Sequence, residues 1–518
     1  MHGLGSLLAV VLAGCSAASP DSATFRLAIS NEPPTLDWSL ATDSVSIPII
    51  ENLMDGLTRF DDDLRPKPAI ATGWEISDAG RRYLFHLRSD ATWSDGRAVT
   101  ASDFEYAWKR LLDPHTASEY AYFLYPVLNA KAYNTGAVTD SSAVGVRALS
   151  PTLLDVRLEK PIVYFPMITT FTATFPHRRD VIERFGTHWT DPEHIVTNGP
   201  FRLRGWRHEY RLTLEANPNY YGGHSRVDRV LMYVVNERTT ALTLYQTGDL
   251  DLVQLPPEAI PTFQDSPELR RKPILRGYYV GFNVKKAPFD DSRVRRALAM
   301  ALDREEFPKI LRGGEQAARG WVPPGMLGHD PSIGLPFDPQ RARRLLAEAG
   351  YPEGKGLPLL TYVYNTGPVN TLIAENLQAQ WKRNLDVAVA LDNVEWKVYL
   401  KRLQTDPPGL YRLGWGADYP DPDNFMALFT SGSGNNHSEW MNPRYDALVS
   451  KAASEADHAK RLALYREAQR ILTEEDVPII PLFSDVQNVL IKPWVSGLRL
   501  NAMEILSFQD VTVDRRTR

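Results

Sequence analysis

Between residues 83 and 112 the chain spells out a strand, a turn and a helix in unbroken succession, and that succession constrains its fold more than any other feature. In YLFHLR (83–88) apolar and polar residues alternate at period two, as in a half-buried strand. Trp93-Ser94-Asp95-Gly96 then has the composition of a turn. Ser102 or Asp103 can cap a helix on which Phe104, Ala107, Trp108, Leu111 and Leu112 share one face, and Asp113-Pro114 ends it. The same interleaving continues along the chain. Alternation predicts strands at 153–158, 212–215, 229–235, 278–283, 357–364 and 388–393. Helical spacing predicts helices at 291–303, at 339–349 with Gly350 as its terminator, at 372–382, and as a pair either side of 455–458 within 445–473. Strands and helices mixed in this way predict an α/β fold with mixed sheets. No period of 20 to 50 residues marks a repeat architecture.

At 518 residues the chain is too long for one hydrophobic core, and two or three domains are expected. Its beginning is a different kind of segment. An apolar run at 7–12 is too short to span a bilayer and leads through Leu12-Ala13-Gly14 to Cys15, the single cysteine. This pattern predicts a lipoprotein signal over 1–14, lipid attached to Cys15, and a flexible tether over 15–23. The missing Lys or Arg ahead of the apolar run leaves open a start upstream of Met1. With no second cysteine, a disulfide within the chain and a thiolate zinc cluster are both excluded. No other stretch approaches 18 uninterrupted apolar residues, so the body is expected to be soluble and held at a membrane surface by lipid alone, in the periplasm or on the outer cell surface.

Charge and motifs narrow the function. With 63 acids against 58 bases the net charge is -5, and no basic block tracks a phosphate backbone, so nucleic acid is not an expected partner. There is no HExxH helix and no G-x-S-x-G elbow, and His177, His188, His194 and His208 are scattered. Asp421 and Asp423, a carboxylate pair that a glycosidase could use, stand in a proline-rich turn and are expected to face water. No catalytic residue, metal ligand or cofactor is therefore assigned. The run RLGWGADYPDPDNF (412–425) is of another kind. Gly414 and Gly416 bare the backbone around Trp415, and Asp418 places a negative charge at the end of that stretch. It suits a peptide and its amino terminus; the competing reading is a surface turn. The 12 Trp and 22 Tyr suit a cavity with flat, stiff walls.

Six stretches taken in order resemble one family: 83–121, IVTNGPFRL (195–203), PFDDSRVRRALAMALDRE (288–305), RLLAEAGY (344–351), RLGWGADY (412–419) and KPWVSG (492–497). The chain resembles the oligopeptide-binding lipoproteins of bacterial ABC importers, the extracytoplasmic solute-binding proteins of family 5, which also take dipeptides, nickel chelates and haem. The resemblance implies a bilobal periplasmic-binding-protein-like fold of class II type with a third, inserted domain. Lobe I would comprise 24–54, 177–275 and 487–518, the inserted domain 55–176, and lobe II 276–486. Two crossings between lobes make a hinge that closes on ligand, and a membrane permease can tell open from closed.

By the same resemblance Asp418 pairs with the ligand's α-ammonium, and the backbones of Gly414 to Gly416 and of Thr42 to Ser44 add hydrogen bonds, as in strand addition. Tyr120 matches an aromatic hydroxyl of the family site, and Trp415 and Trp396 would wall side-chain pockets. Arg412 either holds the empty Asp418 or meets the ligand's carboxylate. Asn370 stands where the family has a histidine and Leu403 where it has an arginine, with Arg402 adjacent. Thr42 replaces an acid that faces basic side chains. The expected function is delivery of short peptides to a permease by a monomeric receptor without enzymatic activity. The alternatives are a murein peptide, haem or a metal chelate as ligand, or a peptide-binding sensor or chaperone without a permease.

Overall fold

The computed structural model describes residues 24–517, so the signal, Cys15 and the tether lie outside the described residues. Its frame is one mixed sheet of eleven strands that crosses the whole body. Two unusually long strands form the middle of that sheet, Leu269–Phe282 and Ile479–Ile491, and they pair antiparallel. On one side the sheet continues through Leu252–Gln254, Thr24–Ile29 and Arg229–Val234 to the meander Arg211–Ala216 and Phe201–Arg207. On the other it continues through Leu410–Gly416, Leu360–Asn365 and Val389–Val394. The fold is α/β with mixed sheets, as the interleaved periodicities predict.

The two long strands also mark where the halves meet. Their register breaks between Pro273 and Gly277, where three residues of one strand oppose Asp485 alone on the other. A bulge there bends the ladder at its midpoint. Beyond it, the alternation of a strand places successive side chains in different cores: Val280 and Phe282 join one hydrophobic cluster, Tyr279 another that also holds Leu275 of the bulge. Helices Ser292–Met300, Pro339–Glu348 and Pro368–Leu385 belong to the first of these, and Tyr445 and Tyr465 on Pro443–Ser454 and His458–Arg470 to the second. This half of the sheet is therefore buried on both faces.

A separate four-stranded antiparallel sheet, Ala71–Ser77, Arg82–Leu87, Leu153–Arg157 and Val146–Ser150, carries the helix Ala101–Leu112. Phe104, Ala107, Trp108, Leu111 and Leu112 are all buried, the face expected from their spacing. The cap is corrected by two or three residues: Thr100 is the N-cap, and Asp103 is the third helical residue, whose carboxylate closes a capping box back onto the Thr100 backbone. Ser102 lies inside the helix. The strand expected at 278–283 also proves to be only the end of the longer Leu269–Phe282, because Arg270, Arg271, Lys272 and Pro273 are exposed and break the apolar pattern without breaking the pairing. The helix expected at 372–382 is longer at both ends, Pro368–Leu385.

Candidate functional site

Strand Leu410–Gly416 is paired along its whole length on one side only. Against Leu269–Phe282 it matches from Leu410↔Phe282 to Gly416↔Arg276, whereas its pairing with Leu360–Asn365 stops at Tyr411. Hydrogen-bonding direction alternates along a strand. The Ala417 amide donates to the Leu275 carbonyl at 2.8 Å, so the odd-numbered residues turn toward the long strand. The Arg412 carbonyl accepts instead from the Tyr399 hydroxyl, on the opposite side. Gly414 and Gly416 therefore turn their N–H and C=O groups to an edge that no described strand covers beyond Tyr411. A Cβ on Gly414 would stand 2.8 Å from the Gly277 carbonyl oxygen, so the close approach of the two strands requires glycine there.

The strand leads to Asp418. Asn424, six residues on, fixes that carboxylate from within the same turn: its Nδ2 donates to Asp418 Oδ2 at 3.3 Å, and its Oδ1 accepts from the Asp418 amide at 3.0 Å and from Trp415 Nε1 at 2.9 Å. Tyr122, far away in the chain, donates to the same Oδ2 at 3.4 Å. Among the described residues no cation pairs with Asp418. Burial pushes its carboxyl up to about 6, against the opposing pull of the Asn424 and Tyr122 hydrogen bonds. The Tyr122 and Tyr120 hydroxyls are raised in turn, by burial first and by the nearby Asp418 charge second.

Asp418 lines a cavity of about 600 Å³ between the two halves, within the size range of small-ligand sites. Part of its lining is the bulge, Ile274 to Arg276, with Gln487 and Val489. Its walls bring in Thr42, Ser44, Tyr120, Gly416 and Asp418 from three separate parts of the chain. Arg412, Gly414, Trp415, Trp396 and Asn370 lie outside this wall. Arg412 does not hold Asp418: its Nη1 donates to Asn365 Oδ1 at 3.1 Å and its guanidinium lies 4.4 Å from the Tyr278 ring centroid. Asn370 donates to the Asn365 carbonyl at 3.0 Å, so Arg412, Asn365 and Asn370 form one chain at the other end of the open edge. Trp396 is 43% exposed and stacks on Tyr399. Leu403 is buried in the core, and Arg402 pairs with Asp392.

Two expectations change. Asp421 and Asp423 do not face water; they are 2% and 5% exposed. Asp421 takes a two-pronged hydrogen bond from Arg461 at 2.8 and 2.6 Å, and Asp423 accepts from Tyr164, Tyr465 and Tyr419 at 2.6, 3.1 and 3.2 Å. Two segments remote in sequence, at Tyr164 and at the helix His458–Arg470, close over a turn that looks solvated when read alone. The second change is what the sequence reading missed: Asn424, Tyr122, Glu51, and Arg276 between Asp485 and Glu504 at 3.4 and 2.6 Å. Asn424 belongs to the run already singled out at 412–425. The others carry no local signal, because only the tertiary structure brings them together.

The profile of the family described as "Bacterial extracellular solute-binding proteins, family 5 Middle" matches residues 65–437. The chain is 36% identical over 481 residues to the oligopeptide-binding protein OppA of Bacillus subtilis, covering 90% of this chain and 88% of that protein. It is 34% identical to the probable deoxycholate-binding periplasmic protein YgiS of Escherichia coli, with 92% and 91% covered. Among solved structures, a periplasmic oligopeptide-binding protein of Borrelia burgdorferi superposes with a TM-score of 0.82 at 31% identity, covering 95% of this chain and 100% of that one.

Proposed function

Because the chain belongs to the bacterial extracellular solute-binding proteins of family 5, a family of binding proteins rather than enzymes, we propose that it captures short peptides between its two halves and delivers them to an ABC-type permease. One observation carries this reading: among the described residues, a strand edge that no strand covers ends at a half-buried carboxylate that no cation pairs with. A peptide offers what that arrangement lacks, an extended backbone for the edge and an ammonium for the acid.

In this reading the ligand's α-ammonium sits on Asp418, beside Tyr120 and Tyr122, and its first amides pair with Gly414 and Gly416 and with the backbone of Thr42 to Ser44 across the cleft. Trp415 acts through Asn424, which orients Asp418. Four strand residues separate Gly416 from Arg412, about 13 Å at ~3.3 Å each, so the carboxylate of a peptide of about four residues would reach Arg412 and Asn370. Trp396 flanks that exit. Four carboxylates (Asp43, Glu51, Asp418, Glu504) against two guanidiniums (Arg238, Arg276) line the cavity, which disfavours an anion such as a bile acid.

The three-part division (24–54, 177–275 and 487–518; 55–176; 276–486) belongs to the same proposal, supported by the bulge at Ile274 to Arg276 and Asp485 where the two long strands pass between halves. Further parts of it are lipid attachment at Cys15 with 15–23 as tether, action as a monomer, and the lack of a catalytic role. No helix of the described residues is long and apolar enough to cross a membrane. The test is thermal. Tri- to pentapeptides with a free amine should raise the melting temperature and their N-acetylated forms should not. Equal stabilisation by both would remove the amine as the handle and with it this reading.

A further inference from the structure

Glu51 is the unexplained group of the cavity. It sits on the helix Ser46–Leu53, whose Ile47, Pro48 and Glu51 all line the cavity wall. The neighbouring wall is apolar: Leu506 and Phe508 belong to a segment bound to the same helix, with Asn52 Nδ2 donating to the Leu506 carbonyl at 2.7 Å and the Phe508 amide donating to Asn52 Oδ1 at 2.9 Å. Among the described residues Glu51 has neither a hydrogen bond nor an ion pair. Its carboxyl is enclosed deeply enough for burial alone to push it up to about 8. The other cavity acids are occupied or assigned. Asp43 accepts from the Val45 and Ser46 amides, Glu504 pairs with Arg276, and Asp418 is the amine site.

A carboxylate alone at an apolar wall fits a long aliphatic stem that ends in a cation, since the stem packs on the wall while the charge meets the acid. Resting on the peptide reading above, we propose that Glu51 is a second cation anchor which takes the lysine or arginine side chain of a bound peptide, so that the cavity selects ligands carrying a basic side chain as well as a free amine. A structural role for Glu51 is poorly supported, because an acid that served the fold would have a partner in the empty protein.

Calorimetry at pH 7.5 with free-amine tripeptides tests this, with lysine placed at each position in turn and compared with norleucine, which has a similar stem and no charge. At one position lysine should bind at least about tenfold more tightly than norleucine, and Glu51→Gln should bring that ratio to within about twofold. The variant's melting temperature without peptide reports its folding. The proposal fails if no position separates lysine from norleucine, or if the ratio survives in Glu51→Gln. N-acetylated peptides run alongside separate the two readings. If they bind as well as free ones, Asp418 is not the amine site, whatever Glu51 does; if only the lysine preference is missing, Asp418 stands and Glu51 falls.

Discussion

Asp418→Asn should make the empty protein more stable while it abolishes most peptide affinity. The carboxyl rises from an ordinary 3.8 to about 6 on folding. An acid whose value is raised holds its proton more tightly in the folded state, so ionising it opposes folding. The penalty is absent below the unfolded value of 3.8, grows as pH climbs towards 6, and is fully present above that. About two units at about 1.4 kcal/mol each give about 3 kcal/mol at pH 7.5, falling to about 1 kcal/mol at pH 4.5. Asparagine keeps an oxygen for Asn424 and Tyr122 but never ionises, which relieves that penalty. At about 2 cal/mol/K of unfolding entropy per residue, a chain of this size shifts about 1 °C per kcal/mol. Scanning calorimetry of the empty proteins should therefore place the variant about 3 °C above the parent at pH 7.5 and about 1 °C above it at pH 4.5. In the parent, a ligand ammonium recovers the same penalty: an ion pair at about 4 Å is worth roughly 4 kcal/mol at an effective dielectric of 20, before desolvation is subtracted. Free-amine peptides should thus shift the parent's melting and leave the variant's almost unchanged. A variant no more stable than the parent at pH 7.5, or one that keeps its peptide shift, would falsify the view of Asp418 as a charge held without a partner for its ligand.

Other consequences can be measured on the same preparations. Since the empty Asp418 takes up a proton near pH 6, a peptide without basic side chains should bind about tenfold more weakly at pH 5 than at 7.5; a flat calorimetric profile across that window counts against the amine contact. Asn424→Ala frees both Asp418 and Trp415 from their shared partner and should weaken the same peptide about tenfold, or roughly 1.4 kcal/mol, whereas unchanged affinity would mean that the turn orients itself. Arg461→Ala leaves Asp421 buried without its cation and should cost about 3–5 kcal/mol in urea unfolding. A loss below about 1 kcal/mol would show that the pair is solvated and separable, like a surface bridge.

Much of the architecture is legible in local pattern, because period-two alternation and helical faces report which side of an element is buried. Arg82–Leu87 and the buried face of Ala101–Leu112 follow directly from YLFHLR and the Phe104 to Leu112 spacing. The stretch at 412–419, two glycines and Asp418 among aromatics, is likewise recognisable as a place where backbone is bared near a charge. Locality is also where this reading ends. Nothing in RRKPILRG announces the long hinge strand, since its charges and proline contradict a pattern that pairing along Ile479–Ile491 overrides. Nothing in PDPD separates an exposed turn from a buried one, for the burial of Asp421 and Asp423 is imposed by Arg461, Tyr465 and Tyr164. The sequence by itself determined the alternating strands and helices and the position of the acid. Only the tertiary structure decided that this acid has no cation among the described residues, that Glu51 shares its cavity, and that Arg412 stands at the far end of the open edge. The physical reason is that a charge's energy depends on what surrounds it in space, and at Asp418 one of those neighbours, Tyr122, lies 296 residues away along the chain.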